Sequence, residues 1–392
     1  MGNKFSSTEM KFLLGMGSVL ALRQLGLLIV MPFLAIYGKE LAYSTPGLIG
    51  IAIGVYGLTQ AVFQIPYGNL SDKYGRKVMI LIGLFVFVLG LFLGYLAKDI
   101  YVFILARILQ GSGAIMAVAY AWVGDSIKEE HRNKGMSIIG MLVGMSATLA
   151  FLGGPILHRW LSVPEMFLVC AFLVGIAWLY ILIFLKEDKA NKSSFAAKER
   201  VAIITYFRDK KLLKLFAGGF INNYILVSQF YVIPLLLENS LGADGLWKVF
   251  APATLIAIVV MRLAAKYADA GYFNTAALSS FAVISLGALA YYTGSALLIG
   301  IGTTCFMVGY MCLVTLLPAS ISRQSEKDTR GKLTGVFNTV QFIGSFMGGA
   351  LTGFLWGINP GYSITFLVVI GLVGALVIHN TEEGKTLKQA LK

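Results

Sequence analysis

An all-α membrane protein, with twelve transmembrane helices in two six-helix halves, is the fold class this sequence predicts, and three observations predict it. Of its 392 residues, 57% are hydrophobic and only 13% charged, more apolar surface than one soluble core could hide. Apolar runs of about 20 residues, the helix length that a hydrocarbon layer of roughly 30 Å demands, recur along the whole chain. One charged stretch interrupts them near the middle, from Lys186 to Lys211, with Asn191-Lys192-Ser193-Ser194 inside it.

The first half, residues 1–187, holds six runs near 11–37, 47–69, 78–97, 101–124, 134–157 and 165–185. Span one carries Arg23 at its middle and lacks a short apolar core with a small-residue cleavage site, so it reads as a retained helix rather than a signal peptide. Span two repeats Tyr56, Gln60 and Gln64 at every fourth residue, which places them on one helical face. A polar hairpin, Gly68-Asn69-Leu70-Ser71-Asp72-Lys73-Tyr74-Gly75-Arg76-Lys77, separates it from span three. Gly68 and Gly75 allow a tight turn, Asp72 can receive a helix terminus or a cation, and Lys73, Arg76 and Lys77 hold the loop on the cytoplasmic side. Span four contains Arg107, span five opens on Arg132-Asn133-Lys134-Gly135-Met136, and span six ends at the linker, 188–211.

The second half, 212–392, holds runs near 212–237, 246–267, 274–293, 296–319, 333–356 and 361–379. Span eleven opens on Arg330-Gly331-Lys332-Leu333-Thr334 and continues into glycines at close spacing, as span five does, a weak parallel repeat of the halves. Small-residue stripes mark span two (Gly50, Gly54, Gly57), span three (Gly90, Gly94), span five (Gly140, Gly144) and span eleven (Gly344, Gly348, Gly349, Gly353). They fit static packing, dimerisation or sliding contacts between helices.

The net charge of +13 is distributed by side. With the N-terminus in the cytoplasm, inside segments hold 25 of the 32 Lys and Arg residues, whereas outside loops hold only Lys39, Lys98, Arg159 and Lys248. Both termini are therefore expected inside. Basic residues scattered over separate short segments, with no soluble domain to carry them, exclude a nucleic-acid partner. Cys170, Cys305 and Cys312 lie within spans at no metal-ligand spacing and read as small buried hydrophobes. The sequence has no nucleophile elbow, His-x-x-Glu-His, phosphate loop or paired membrane carboxylates, and Gly111-Ser112-Gly113 is too short to cradle a nucleotide. Neither an enzyme nor a cofactor is indicated, nor a channel filter.

Charge at bilayer depth costs at least about 2.5 to 3.5 kcal/mol, so Arg23 and Arg107 are expected to face a wet cavity unless they snorkel to an interface. The candidate cavity walls are Arg23, Gln24, Tyr56, Gln60, Gln64, Arg107, Gln110, Asn222, Asn223, Gln229, Tyr231, Asn338 and Gln341, with Ser345 beside the last two. Each amide serves equally as an interhelical hydrogen bond or a substrate contact. No Asp or Glu lies near the middle of a span, so the arginines leave the cavity positive. Such a cavity favours an anionic, zwitterionic or acceptor-rich substrate.

The hairpin Gly68–Lys77 is similar to the signature loop of the major facilitator superfamily, and Arg107-Ile108-Leu109-Gln110-Gly111-Ser112-Gly113-Ala114 resembles that family's motif B. Gly144, Gly153, Gly154 and Pro155 resemble the antiporter motif C, with His158-Arg159 where its closing glycine pair usually stands. The stretches from Arg23 to Pro66 and from Gly335 to Gly344 resemble the YajR-type branch of bacterial drug:proton antiporters. That resemblance implies the facilitator fold and alternating access, and a monomer in the bacterial cytoplasmic membrane that exports small organic compounds, multidrug efflux included, by antiport against the proton gradient. It implies a conformational latch of Gly68, Asp72, Gly75, Arg76 and Asp125, in which Asp72 faces the N-terminal end of span eleven and Arg76 pairs with Asp125. The second-half copy of the loop, 264–271, has degenerated, and the small soluble C-terminal domain common in that branch is not expected after span twelve. A transporter of an anionic metabolite or siderophore-like compound, or a lipid flippase on the same fold, is the alternative. Membrane lipids are its other partners.

Overall fold

Each run chosen for apolar length is helical in the computed structural model, which describes residues 5–187, 206–324, 330–379 and Thr381. The predicted linker, 188–211, lies outside the described residues as far as 205. The crossings are α1 (Ser7–Leu28) with the short α2 (Leu34–Glu40), α3 (Pro46–Tyr74), α4 (Arg76–Leu96), α5 (Ile100–Ser112) with α6 (Met116–Ser126), α7 (Arg132–Leu157) and α8 (Val163–Phe184) in the first half. The second half has α9 (Lys210–Leu241), α10 (Trp247–Tyr267), α11 (Phe273–Leu289), α12 (Ala296–Gln324), α13 (Arg330–Ile358) and α14 (Pro360–Ile378). Among the described residues there is no strand, as expected where backbone polar groups must be satisfied within each segment.

Two boundaries differ from the sequence reading. Span four is not continuous, because α5 ends at Ser112 and α6 begins at Met116. The Gly68–Lys77 hairpin is not an open loop, because α3 runs through it to Tyr74 and only Gly75, at φ +107°, separates it from α4. Glycine alone adopts that conformation readily, so one residue turns the corner. Polar ends elsewhere are capped by side chains. Ser6 with Glu9 and Ser162 with Glu165 form reciprocal capping boxes on α1 and α8, and Asp99 and Asp209 cap α5 and α9.

The chain packs as two units, one of residues 1–31 and 59–200, the other of residues 32–58 and 201–392. The first is built on Met16, Phe87, Phe103, Trp122 and Phe167, all fully or almost fully buried, and the Trp178 indole N–H closes on the Leu81 carbonyl at 2.9 Å. Phe85, Phe172, Ile176 and Phe184 remain exposed, the outward apolar face that lipid covers.

In the second unit, glycines permit backbone contact between helices. A Cβ on Gly344 or Gly348 would strike the Phe220 or Tyr224 carbonyl of α9, and one on Gly50 of α3 would strike the Gly349 carbonyl of α13. Ser228 Oγ fixes the first contact by donating to the Gly348 carbonyl at 3.0 Å, with Thr352 Oγ1 2.6 Å away. The span-five stripe behaves differently: Gly140 and Gly144 have open space where a Cβ would stand, so they serve no close packing in their unit.

Candidate functional site

Arg23 occupies the middle of the first crossing, and the first unit encloses it. One guanidinium nitrogen, Nη2, donates to Gln60 Oε1 and to the Gly113 carbonyl, both at 2.9 Å, and the Phe87 ring lies 5.0 Å from the guanidinium carbon. Its Nε and the Gln60 Nε2 are buried without a hydrogen-bond partner. Gly113 is available because the backbone unwinds there: Ala114 N–H turns back to the Ser112 carbonyl and Ile115 N–H to the Gly113 carbonyl, each at 2.9 Å. Those tight turns replace one helical turn. Gly113 also lies against the Gly83 carbonyl of α4, where no side chain would fit.

Arg107, one helix over, donates through Nη1 to Gln110 Oε1 at 2.7 Å and lies 3.9 Å from Met31 Sδ. Gln110 is itself fixed by its Nε2, which donates to the Gly90 carbonyl at 3.0 Å. The expectation that both arginines open onto water is not met: Arg23 is 1% exposed and Arg107 is 0% exposed. Amides, carbonyls and an aromatic face provide the solvation that water was expected to provide. Among the described residues Arg23 meets no carboxylate; its partners there are neutral. Gln64 is buried on α3 one turn beyond Gln60, and Gln24 is half-buried on α1.

At one end of the same unit, Arg76 organises the corner between α3 and α4. Its Nε donates to Asp125 Oδ2 at 3.0 Å, while Nη1 reaches Asp72 Oδ1 and Ser71 Oγ, each at 2.5 Å. Ser71 Oγ donates onward to the Gly68 carbonyl at 2.7 Å. The Arg76–Asp125 pair matches the arrangement the resemblance implied. Glu187 was not anticipated. Its carboxylate accepts the backbone N–H of Arg76 at 2.7 Å and of Lys77 at 3.1 Å, and covers the space beside Gly75. An acid just after the end of span six was the available signal, but sequence spacing does not show which helix it caps.

The second unit holds the other candidates on α9, α13 and the start of α3. Asn223 Nδ2 donates to the Gly219 carbonyl at 3.3 Å, and Gln341 of α13 packs beside Gly219. Tyr231 Oη donates to the Pro46 carbonyl at 3.0 Å, and Tyr56 meets Phe342 edge-on at 6.4 Å, so both tyrosines pack helices together. Asn338 is half-buried on α13. Asn222 and Gln229 are 0% exposed, and among the described residues neither end of the Asn222 amide has a hydrogen-bond partner. The buried Tyr291 hydroxyl, near both Gln229 and Thr303, was missed because a lone tyrosine at the end of span nine carries no pattern. The degenerate second-half loop keeps an exposed ion pair, Arg323 with Asp269 at 3.5 Å.

Residues 16–349 match the family model of the Major Facilitator Superfamily. The chain belongs to this superfamily. It is 34% identical over 372 residues to the inner membrane transport protein YajR of Escherichia coli K12, an alignment covering 92% of this chain and 81% of that protein. It is 26% identical over 387 residues to the class G tetracycline resistance protein of Vibrio anguillarum, covering 91% and 95%. Among solved structures, a bacterial homolog of the human lysosomal transporter Spinster, inward-facing and occupied, superposes with a TM-score of 0.75 at 13% identity, covering 98% of this chain and 99% of that one. The facilitator described here is therefore a multi-pass membrane transporter and not an enzyme. Within it, the enclosed arginines and the Arg76 corner each combine charge with helix geometry.

Proposed function

We propose that this facilitator is a secondary active transporter that exports small organic compounds by alternating access, driven by the proton gradient across a bacterial cytoplasmic membrane, with both termini inside. Kinship over 92% of the chain with an inner membrane transport protein supports the setting, and kinship with a tetracycline resistance protein supports the direction. The observation that carries the substrate class is Arg23, a charge at the middle of the first crossing with neutral partners only. A lipophilic cation gains nothing there, whereas a carboxylate, a zwitterion or a strong acceptor does. The same observation favours a second reading, carriage of an anionic metabolite.

Everted vesicles containing the protein, energised to acidify their interior, test both. Accumulation of acceptor-bearing or anionic compounds that a protonophore abolishes supports export. Uptake only into right-side-out vesicles, indifferent to the protonophore, favours the metabolite carrier and overturns proton-driven export.

A further inference from the structure

We propose that the furrow between the first turns of α10 and α12 is a lipid site, in which an acyl chain lies along the furrow and the phosphate of an anionic phospholipid sits on Lys248. The site rests on the chain being a membrane protein and not on the export reading. The furrow encloses about 350 Å³. On α12 it is lined by Leu297, Gly300, Ile301 and Thr304, whose three- and four-residue spacing makes one stripe, about 10 Å long at 1.5 Å per residue. On α10 it is lined by Lys248, Val249 and Pro252. A missing side chain opens it: a Cβ on Gly300 would meet only the Val249 methyl groups, at 3.8 and 3.9 Å. The inner faces of the same helices are closed, with Phe250 stacked on Phe230 at 5.6 Å and Ile299 and Phe306 buried. Leu297 and Ile301 are exposed, so the furrow opens on the outward apolar face.

Polarity divides the furrow into a head and a tail. Toward the tail, Thr304 Oγ1 donates to the Gly300 carbonyl at 2.9 Å, which leaves no free hydroxyl donor among the apolar walls. At the head, Lys248 is the second residue of α10 and is exposed, and among the described residues its side chain has no ion pair. Asp244, one turn earlier, does not pair with it. The α10 start also lacks a side-chain cap, so its dipole adds positive charge beside the lysine. Trp247 is half-buried next to it, and an aromatic with a lysine at the end of a crossing marks the level of the headgroups. A soluble anion makes no use of the apolar furrow, and a neutral apolar compound leaves Lys248 unmatched. A zwitterionic lipid sets a second cation near the first. An anionic phospholipid matches both parts.

The experiment uses purified full-length protein, freed of lipid in a neutral detergent. Phosphatidylglycerol or phosphatidylcholine with the same acyl chains is titrated while thermal unfolding is followed, and bound lipid is counted by native mass spectrometry. Phosphatidylglycerol should raise the melting temperature saturably and remain bound as a single lipid per chain, with phosphatidylcholine weaker. Lys248→Gln should melt like the parent without lipid and bind phosphatidylglycerol about fivefold more weakly, as expected for one basic residue at an anionic surface, with phosphatidylcholine unchanged. Gly300→Leu fills the furrow and should weaken both lipids. Lys266→Gln, which removes an exposed lysine near the other end of α10, should bind phosphatidylglycerol as the parent does. An equal response to the two lipids overturns the site, as does a preference for phosphatidylglycerol that survives Lys248→Gln or falls equally in Lys266→Gln. A rise produced by glycerol phosphate, which has no chain, overturns it as a lipid site.

Discussion

Glu187 closes its carboxylate over the start of α4, taking the backbone N–H of Arg76 on one oxygen and that of Lys77 on the other. An acid from the end of the sixth crossing thus caps the third, at the corner where Arg76 joins Asp72 to Asp125. Lys77 strengthens the same junction by donating from Nζ to the Leu182 carbonyl at 2.8 Å. Glu187→Ala should cost about 1 kcal/mol, the usual value of a helix N-terminal cap. Glu187→Gln should cost less, since one amide oxygen still accepts. Unfolding of purified protein reads both, and an alanine variant that melts like the parent would remove Glu187 from the corner.

Arg76 and Asp72 should behave unequally. The Asp72 side chain is 51% exposed and that of Asp125 is 21% exposed. Asp72→Asn therefore removes a screened pair and should change stability by about 0–1 kcal/mol. Arg76→Ala removes a hydrogen-bonded ion pair to the more enclosed Asp125 together with the Asp72 pair, and should cost about 1–3 kcal/mol. In the latch role proposed for Asp72, Asp72→Asn inserts normally but transports more slowly. Transport at the parent rate and equal expression removes it from the mechanism.

Glycines in two stripes should respond oppositely to a methyl group. On Gly50 the added Cβ meets the Gly349 carbonyl oxygen, and backbone cannot move aside as a side chain can. Gly50→Ala should lower the melting temperature measurably, in the range of about 1–3 kcal/mol that overpacking costs. Gly140→Ala meets nothing within 4 Å and should melt at or slightly above the parent value. Equal effects at the two sites would show that the close approach of α3 and α13 is not a tight contact.

Orientation is open to a direct test in a background lacking Cys170, Cys305 and Cys312. An impermeant thiol reagent should label a cysteine placed at Gly242 from outside, and one placed at Ser194 only after permeabilisation. The opposite pattern reverses the topology drawn from the basic residues.

Much of the fold was legible because lipid imposes a simple rule. Apolar length alone located the crossings, and the Gly68–Lys77 motif pointed to the family that the match over residues 16–349 established. The pairing of Arg76 with Asp125 was legible through the same motif. Details within crossings were not. Gly111-Ser112-Gly113 weakens a helix on propensity, yet a glycine pair also occurs in the unbroken α13 at Gly348-Gly349. Both lie against neighbouring backbone; what separates them is Arg23, whose guanidinium takes the Gly113 carbonyl.

The sequence by itself determined the number of crossings, their order and the scarcity of charge among them, because hydrophobic length and the cost of burying charge are local properties of the chain. Tertiary structure alone decided which distant partners the polar groups in the membrane meet. Arg23 lies 37 residues from Gln60 and 90 from Gly113, and Glu187 lies 111 from Arg76. No periodicity records a contact at such separations. It arises when packed helices bring a donor, a freed carbonyl and a carboxylate within hydrogen-bonding distance, where the directionality and short range of the bond select one partner from many of the same type.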